Sequence, residues 1–120
     1  MPYILKNNSM QQSPNIIMVK SSKALHLLDP KEIVYCKIEN ESVSIKLLSD
    51  EKIITYNSLK ELELKLINHS FYRCHAKYLI NLHLIKQYIH KTGELLMFDN
   101  NFLTVAKDRK SLFYKKIKSF

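Results

Sequence analysis

Residues 71–81 read FYRCHAKYLIN, and the rest of the chain is organised around them. The stretch begins as a short apolar and aromatic strand, changes to polar and cationic residues, and then returns to apolar ones. Burying Arg73, His75 or Lys77 without a partner would be costly. We therefore expect two strands flanking a turn whose cationic side chains face solvent or a binding partner.

The size and composition of the chain predict one soluble domain. Its 120 residues suffice for one core and are too few for two, and 46% apolar with 25% charged residues is ordinary for a globular protein. No apolar run approaches the ~20 residues of a membrane span, and the start lacks a signal-peptide core. We expect a cytoplasmic protein that does not bind membranes.

Metal and cofactor sites are not expected. Cys36 and Cys74 are the only cysteines, and neither lies in a CxxC motif or in a cluster with zinc-ligand spacing. A chain with a single glycine cannot form a Gly-rich phosphate loop. We expect two reduced thiols, no metal and no cofactor.

Positive charge is concentrated in the second part of the chain. Residues 1–70 contain 9 Lys/Arg and 8 Asp/Glu, whereas residues 71–120 contain 10 and 3. A basic region suggests a polyanionic partner, because each neutralised phosphate releases condensed counterions. Charge alone leaves a second interpretation open, a Lys-rich surface that only keeps the protein soluble.

Turn residues and alternating apolar residues predict mostly extended structure. Residues 1–15 carry two prolines and no periodicity, which is typical of a polar tail or linker with at most one short strand at Tyr3-Ile4-Leu5. The domain is then expected over residues 16–120. Besides the strands on either side of the 75–77 turn, the expected strands are 16–20, 24–28, 33–39, 42–47, 52–56, 85–90, 95–98 and 102–105.

Two helices are expected among these strands. Ser58 and Glu61 form a capping-box pattern at the start of the first, and Asn68 is its expected end. The second lies within residues 108–120. In the first helix Leu59, Leu62 and Leu66, with Ile67 beside them, are expected to pack on the sheet, and in the second the apolar residues at helical spacing are Leu112, Phe113 and Ile117. Many hairpins with one or two short helices predict a mainly β fold.

Catalysis is not expected. None of the five histidines has a carboxylate at a spacing that suggests an oriented acid–base pair, and neither cysteine lies in a nucleophile motif. One alternative remains, a small nuclease-like site centred on His75 with Lys77.

Two cationic clusters favour nucleic-acid binding. Arg73, His75 and Lys77 interrupt a pair of strands, and residues 107–110 follow another strand. Loops on a rigid sheet are where recognition residues collect. Lys and Arg side chains can bind phosphate oxygens or guanine O6 and N7 in the major groove. Double-stranded DNA is the preferred partner, and a sequence-indifferent module that stacks RNA or single strands on exposed aromatic rings is the alternative.

Residues 71–82 resemble the signature of LytTR DNA-binding domains: an aromatic residue, Arg-x-His, two mostly polar positions, an aromatic residue, two aliphatic residues and Asn. Residues 57–62 (NSLKEL) resemble the start of the family's helix. Residues 102–107 (FLTVAK) resemble its closing strand, which usually ends Val-Ser-Arg. The resemblance covers residues 16–117 in order.

The resemblance implies an elongated arrangement of small antiparallel sheets whose loops enter successive major grooves. Members are bacterial transcription regulators that commonly bind as pairs on direct repeats, so a homodimer on DNA is an implied partner state. The residues that would form the DNA-binding site are Asn40, Ser42, Arg73, His75, Ala76, Lys77, Lys107, Arg109 and Lys110.

Three of these positions depart from the family pattern. Ala76 stands where a polar residue is usual, Ser42 is small for a reading position, and Lys107 replaces Arg, which removes the bidentate fork while keeping the charge. Beside them, Asn81 is expected to tie the loop backbone together and Tyr78 to anchor the loop on the core.

The family's domain usually follows a phospho-acceptor receiver domain, and 120 residues leave no room for one. The chain is then expected to be either a fragment of a larger regulator or a free-standing regulator controlled by its expression level or by a protein partner. Met1 and the polar leader favour the second interpretation.

Overall fold

A computed structural model describes residues 15–120. The strand expected at Tyr3-Ile4-Leu5 and all but the last residue of the expected tail lie outside these residues. In chain order, the elements are β1 (Ile17–Lys20), β2 (Leu25–Leu28), β3 (Ile33–Glu39), β4 (Ser42–Leu47), β5 (Lys52–Thr55), α1 (Leu59–Lys65), β6 (Phe71–His75), β7 (Tyr78–Asn81), β8 (Ile85–Ile89), β9 (Glu94–Met97), β10 (Phe102–Thr104) and α2 (Lys110–Lys118). Single-turn 3-10 helices lie at Pro30–Glu32, Leu82–Leu84 and Lys107–Arg109.

A five-stranded antiparallel sheet forms the centre of the molecule, with the strand order β5-β4-β3-β7-β6. Glu39 pairs with Ser42 across the β3–β4 hairpin, and Lys37 pairs with Tyr78 between β3 and β7. Because β3 and β7 are antiparallel, the carboxyl end of β3 lies beside the amino end of β7. The β3–β4 and β6–β7 turns therefore lie at the same end of the sheet.

Two apolar cores cover the two faces of this sheet. On one face, the two-stranded β1–β2 sheet and α1 pack through buried side chains that include Val19 and Leu62. On the other face, the three-stranded β8–β9–β10 sheet packs with α2, whose Phe113 is fully buried. Burying one such ring stabilises the fold by roughly 1.5–3 kcal/mol. Both faces of the central sheet are thus held by other elements.

The predicted fold class is confirmed. The chain forms small antiparallel sheets with two short helices, and its principal-axis extents of 52 × 33 × 23 Å give an elongated molecule. None of the helices in residues 15–120 is long and apolar enough to cross a membrane.

The capping box of α1 is confirmed, but the expected end of this helix is wrong. Ser58 Oγ accepts from the N–H of Glu61 at 3.0 Å, and the Glu61 carboxylate accepts from the N–H of Ser58 at 2.8 Å. The helix ends at Lys65, and the residue with a left-handed backbone is Ser70 (φ 63°) rather than Asn68. The chain therefore leaves the helix early and turns through an irregular segment before β6.

The packing expected for Ile67 is also wrong. Ile67, expected beside the apolar stripe, lies beyond the end of α1 and is 63% exposed. Leu112 in α2 is 62% exposed although the adjacent Phe113 is fully buried. Ile67 is exposed because α1 ends before it. Leu112 is exposed because adjacent residues of a helix lie about 100° apart around its axis, so that Leu112 and Phe113 face different directions.

A polar cluster joins the central sheet to the three-stranded sheet. The Tyr35 hydroxyl donates to Asp99 Oδ2 at 2.8 Å, and Asn101 Nδ2 donates to the same oxygen at 2.7 Å. Burial raises the pKa of Tyr35, and the hydrogen bond to the Asp99 carboxylate raises it further. Burial alone would raise the pKa of Asp99, but the bonds from Asn101 and Tyr35 leave it below its usual value.

The two cysteines are free and buried. Burial raises the pKa of both thiols, that of Cys74 to about 12. A thiol that stays protonated at neutral pH is a weak nucleophile and metal ligand. Cys36 and Cys74 therefore act as small core side chains.

Candidate nucleic-acid interface

The first two candidate loops are joined by a main-chain hydrogen bond. The N–H of Ile38, near the end of β3, donates to the carbonyl oxygen of Lys77 at 3.0 Å. This bond extends the β3–β7 pairing as far as the β6–β7 turn. The hairpin tip at residues 40–42 and the turn at residues 75–77 are thus neighbours on one rigid sheet.

The third candidate loop is fastened to the second through the edge of β6. The N–H of Ala106 donates to the carbonyl oxygen of Cys74 at 2.9 Å. Arg109 Nη1 donates to the carbonyl oxygen of Arg73 at 3.0 Å. Residues 40–42, 75–77 and 106–110 therefore lie together at one end of the central sheet, and we refer to them as the loop surface.

The hairpin tip has the geometry of a two-residue type I′ turn. Asn40 (φ 53°) and Glu41 (φ 64°) both have a left-handed backbone, which matches the right-handed twist of the flanking strands. Asn40 is exposed and Ser42 is half-buried, and neither side chain forms a hydrogen bond within residues 15–120. An amide and a hydroxyl are thus available at this tip, next to the Glu41 carboxylate.

The ring of His75 is fixed in the second loop. Its Nδ1 accepts from the N–H of Lys77 at 3.0 Å, and its ring lies 4.8 Å from that of Tyr78 at an interplanar angle of 38°. A neutral imidazole whose Nδ1 accepts carries its proton on Nε2. His75 therefore offers one oriented N–H donor. Tyr78 packs against the core below it, as expected.

Ala76 and Lys77 form the exposed tip of the second loop. Strand β6 reaches it through a bulge, since Tyr72 pairs with Ile80 but His75 pairs with Tyr78. The extra residue bends the strand next to the loop, which is where bulges commonly re-aim side chains. The Arg73 guanidinium returns to the protein, with Nη2 donating to the Ala76 carbonyl oxygen at 2.6 Å and Nη1 to Glu63 Oε1 at 3.0 Å.

The third loop combines an exposed cation with two half-buried ones. Lys107 is exposed, whereas Arg109 and Lys110 are half-buried. The Lys110 stem lies against Gly93, where an added Cβ would be 2.8 Å from Lys110 Cε. The φ of Gly93, +81°, is typical of a turn residue. Its contact with the third loop gives it a second role that the sequence did not indicate.

Two lysines beside the loop surface were missed by the sequence reasoning. Lys52 Nζ lies 3.0 Å and Lys37 Nζ 3.5 Å from the two carboxylate oxygens of Glu39, which ends β3. The pKa of Glu39 is lowered, chiefly by the hydrogen bond from Lys52. The two lysines offset the negative charge at the base of the first tip. Lys37 and Glu39 share a strand face because they are two residues apart, whereas Lys52 reaches Glu39 only through the register of the strands.

Asn81 acts at the opposite end of the sheet from the loop surface, so its expected role in the loop is wrong. Its buried side chain donates from Nδ2 to the carbonyl oxygen of Ile33 at 2.9 Å and accepts at Oδ1 from the N–H of His83 at 2.9 Å. These bonds tie the start of β3 to the end of β7. A cavity of about 450 Å³, lined in part by Asn81, Lys31 and His69, lies at that end.

The sequence comparisons identify the family. A family model described as the LytTr DNA-binding domain matches residues 23–118. The chain belongs to the LytTR family of DNA-binding domains. The expected resemblance is therefore confirmed. DNA binding follows for this LytTR domain at the level of the family, which is a DNA-binding family.

Relatives and a solved structure agree with this assignment. The LytTR domain is 38% identical over 71 residues to the sensory transduction protein LytT of Oceanobacillus iheyensis, and 29% identical over 72 residues to the transcriptional regulatory protein NatR of Bacillus subtilis. These matches cover 59% and 60% of the chain but 29% and 30% of the two relatives, so the chain aligns with less than a third of their lengths.

The fold is also that of a solved LytTr domain. That domain belongs to a protein from Bacillus cereus described as a methyl-accepting/DNA response regulator. The two structures superpose with a TM-score of 0.71 over 90% of this chain and 100% of the other, at 21% sequence identity. The comparison supports the arrangement of strands and helices.

Proposed function

We propose that this domain binds double-stranded DNA sequence-specifically, with the loop surface entering successive major grooves, and that it regulates bacterial transcription in the cytoplasm. The observation that carries the proposal is the fastening of three loops, the second and third of which bear cations, to one end of a rigid sheet. Loops that are ordered before binding lose little conformational entropy when DNA binds.

The loop surface offers two kinds of contact. Side chains with oriented or free hydrogen-bonding groups suit base edges, and these are Asn40, Ser42 and His75, with Lys107 as a donor to guanine O6 or N7. The Nε2–H of His75 also matches an acceptor on guanine. Exposed or half-buried cations suit phosphates and set the register on the duplex, and these are Lys77, Arg109 and Lys110.

Selection of bound duplexes from a random pool tests sequence specificity. We expect an enriched site, and an affinity for it that falls steeply with salt because phosphate contacts release counterions. In the same assay, Lys107→Ala should reduce discrimination between the selected site and its variants by about 1–3 kcal/mol. The matched control is Lys31→Ala, which removes an exposed lysine at the other end of the sheet and should change discrimination little. A pool without enrichment would refute sequence specificity.

Pairwise binding on direct repeats is a separate part of the proposal. The selected sites should contain a half-site repeated in the same orientation, and band shifts on a single half-site should show one complex rather than two. Light scattering of the protein on full-length and half-site duplexes would give the stoichiometry directly. If a single protein molecule bound every selected site, the proposal that the domain binds DNA as a pair would be refuted.

A second candidate is sequence-indifferent binding of RNA or single strands. The observation in its favour is a pair of exposed rings, Phe98 at 49% and Phe102 at 56% exposure, with Lys86 Nζ 5.9 Å from the centroid of Phe98. Exposed rings beside a cation can stack unpaired bases. Competition between a selected duplex and single-stranded RNA of equal length decides, and a win for the RNA would overturn the duplex proposal.

A further inference from the structure

The Arg73 side chain faces the protein rather than the surface that would meet DNA. Only 25% of its side-chain area is exposed. Its three guanidinium nitrogens all donate within the domain: Nε to the His75 carbonyl oxygen at 3.3 Å, Nη2 to the Ala76 carbonyl oxygen at 2.6 Å, and Nη1 to Glu63 Oε1 at 3.0 Å. The planar guanidinium thus donates hydrogen bonds to two successive carbonyl oxygens in the backbone of the second loop.

The partner of this guanidinium belongs to a firmly held element. Glu63 lies in α1, whose start is closed by a capping box and whose Leu59 and Leu62 are buried against the central sheet. A carboxylate fixed on such a helix fixes the guanidinium in turn. The contact between Arg73 and Glu63 therefore connects a rigid helix to the backbone of the 75–77 loop.

The same residue also meets the third loop. Its carbonyl oxygen accepts from Arg109 Nη1 at 3.0 Å, while the adjacent carbonyl of Cys74 accepts from Ala106. Arg73 is consequently in contact with α1 and two of the three candidate loops. Replacing its side chain would remove the bonds to the second loop, whereas the link to the third loop is made by its main-chain carbonyl oxygen.

We propose that Arg73 is a positioning residue, held by Glu63, that sets the geometry of the reading loops instead of contacting DNA itself. The measurements of DNA affinity that test this inference rest on the proposed function. It revises the role expected for Arg73 from the sequence, where an Arg beside a turn looked like a phosphate ligand. It also gives a role to Glu63, an acidic residue that would otherwise only repel phosphates near the loop surface.

Removing the negative charge of Glu63 distinguishes the two possible roles of Arg73, DNA ligand or positioning residue, because they predict opposite changes in affinity for the selected duplex. If Arg73 is a DNA ligand, Glu63→Gln frees it and removes a repulsive charge, so affinity for the selected duplex rises. If Arg73 positions the loops, the variant loosens them, and we expect affinity for the selected duplex to fall roughly five- to tenfold while affinity for unrelated duplex does not fall. A rise in affinity would overturn the proposal.

Three further variants complete the experiment. Glu32→Gln makes the same charge change at an exposed side chain that forms no hydrogen bond or ion pair within residues 15–120, and it should not lower affinity. Arg73→Lys keeps the charge but loses the fork, so it should lower the preference for the selected site without changing the slope of affinity against salt. Arg73→Gln, run alongside as a charge-loss variant, would reduce that slope by about 0.9 if Arg73 bound a phosphate directly, and should leave the slope unchanged if it does not.

A readout without DNA keeps this inference distinct from the proposed function. The Lys77 amide is bonded to His75 Nδ1 within the loop that Arg73 holds, so its hydrogen exchange should accelerate in Glu63→Gln and Arg73→Lys but not in Glu32→Gln. Urea unfolding identifies any global loss of stability. Unchanged exchange at Lys77 would refute the positioning role even if the domain selects a duplex. Faster exchange in a protein that selects no duplex would support the positioning role of Arg73 and refute the proposed function.

Discussion

The N–H of Ala106 donates a hydrogen bond to the carbonyl oxygen of Cys74 over 2.9 Å, and this contact attaches the third loop to the edge of β6. Without it, that part of the β6 edge would present unpaired main-chain groups, and the hydrogen bond from Arg109 to Arg73 would be the remaining one between residues 106–110 and β6 within the described residues. One main-chain bond therefore helps to set the distance between His75 and Lys107.

Replacing Ala106 with proline should detach the third loop selectively. The φ of Ala106 is −59°, which the pyrrolidine ring accepts, so the main effect is to remove the N–H and place a methylene near the Cys74 oxygen. We expect a loss of about 1 kcal/mol in stability and a roughly fivefold weaker affinity for a selected duplex. Urea unfolding and titration of labelled duplex measure the two effects.

The control for this change is Ala106→Gly, which keeps the N–H and adds only the flexibility of glycine. It should bind duplex more tightly than the proline variant. Equal DNA affinities for the two variants would show that the bond between Ala106 and Cys74 does not position the third loop.

Glu41→Gly should stabilise the domain. Glu41 has a φ of 64°, and a side chain in the left-handed region costs roughly 1–2 kcal/mol, of which glycine recovers part after its own entropic cost. We expect a gain of about 0.5–1 kcal/mol in the free energy of unfolding in urea. The substitution also removes a carboxylate from the hairpin tip, so affinity for duplex should rise at low salt.

Glu41→Gln separates these two effects, since it removes the charge but retains the side chain at positive φ. It should raise affinity at low salt as glycine does, with little gain in stability. A glycine variant no more stable than the glutamine variant would mean that the turn at Asn40 and Glu41 is relaxed in solution.

Local signals in the sequence were sufficient for most of the fold. The alternation from Ser42 to Leu47 predicted β4, and the pair Ser58 and Glu61 predicted the start of α1, because each pattern depends on residues within a few positions of one another. The 71–81 stretch likewise contained both strands and the turn between them.

Features that depend on distant partners could not be predicted in this way. The inward direction of Arg73 requires both the bulge in β6 and a carboxylate on α1, ten residues earlier in the chain. Asn81 bonds to Ile33 across 48 residues, so its position at the far end of the sheet follows from the pairing of β3 with β7. The type of side chain was informative in both cases, but its direction was decided by tertiary contacts.

Gly93→Ala should destabilise the domain and disturb the third loop. The φ of Gly93 is +81°, and a new Cβ would lie 2.8 Å from Lys110 Cε and 3.4 Å from the Val105 carbonyl oxygen. Strain at this φ should cost about 1–2 kcal/mol, measured by thermal or urea unfolding. Because the Lys110 stem must move, affinity for duplex should also fall. An alanine variant as stable as the original protein would show that the 91–94 turn can relax.

Tyr35 makes the stability of the domain depend on pH in the alkaline range. Its hydroxyl donates to the buried side of Asp99 and accepts from Asn101 Nδ2 at 3.3 Å. Burial and the Asp99 carboxylate raise the pKa of Tyr35 in the folded state above its ordinary value of about 10. Its contribution to stability is therefore complete below about pH 10 and is lost as the pH rises, because the unfolded chain releases the phenolic proton first.

Tyr35→Phe should lower stability at pH 8 by roughly 1.5–3 kcal/mol, because a hydrogen bond to a carboxylate is lost. Between pH 10 and 12 the original protein should lose up to about 1.4 kcal/mol per pH unit through Tyr35, whereas the variant lacks this loss, so the two stabilities should converge. Urea midpoints measured at intervals from pH 8 to 12 give the difference. Tyr56→Phe is the control, since this side chain is 73% exposed and forms no side-chain hydrogen bond within residues 15–120. A constant difference between the original protein and Tyr35→Phe over the whole range would mean that the pKa of Tyr35 is not raised in the folded state.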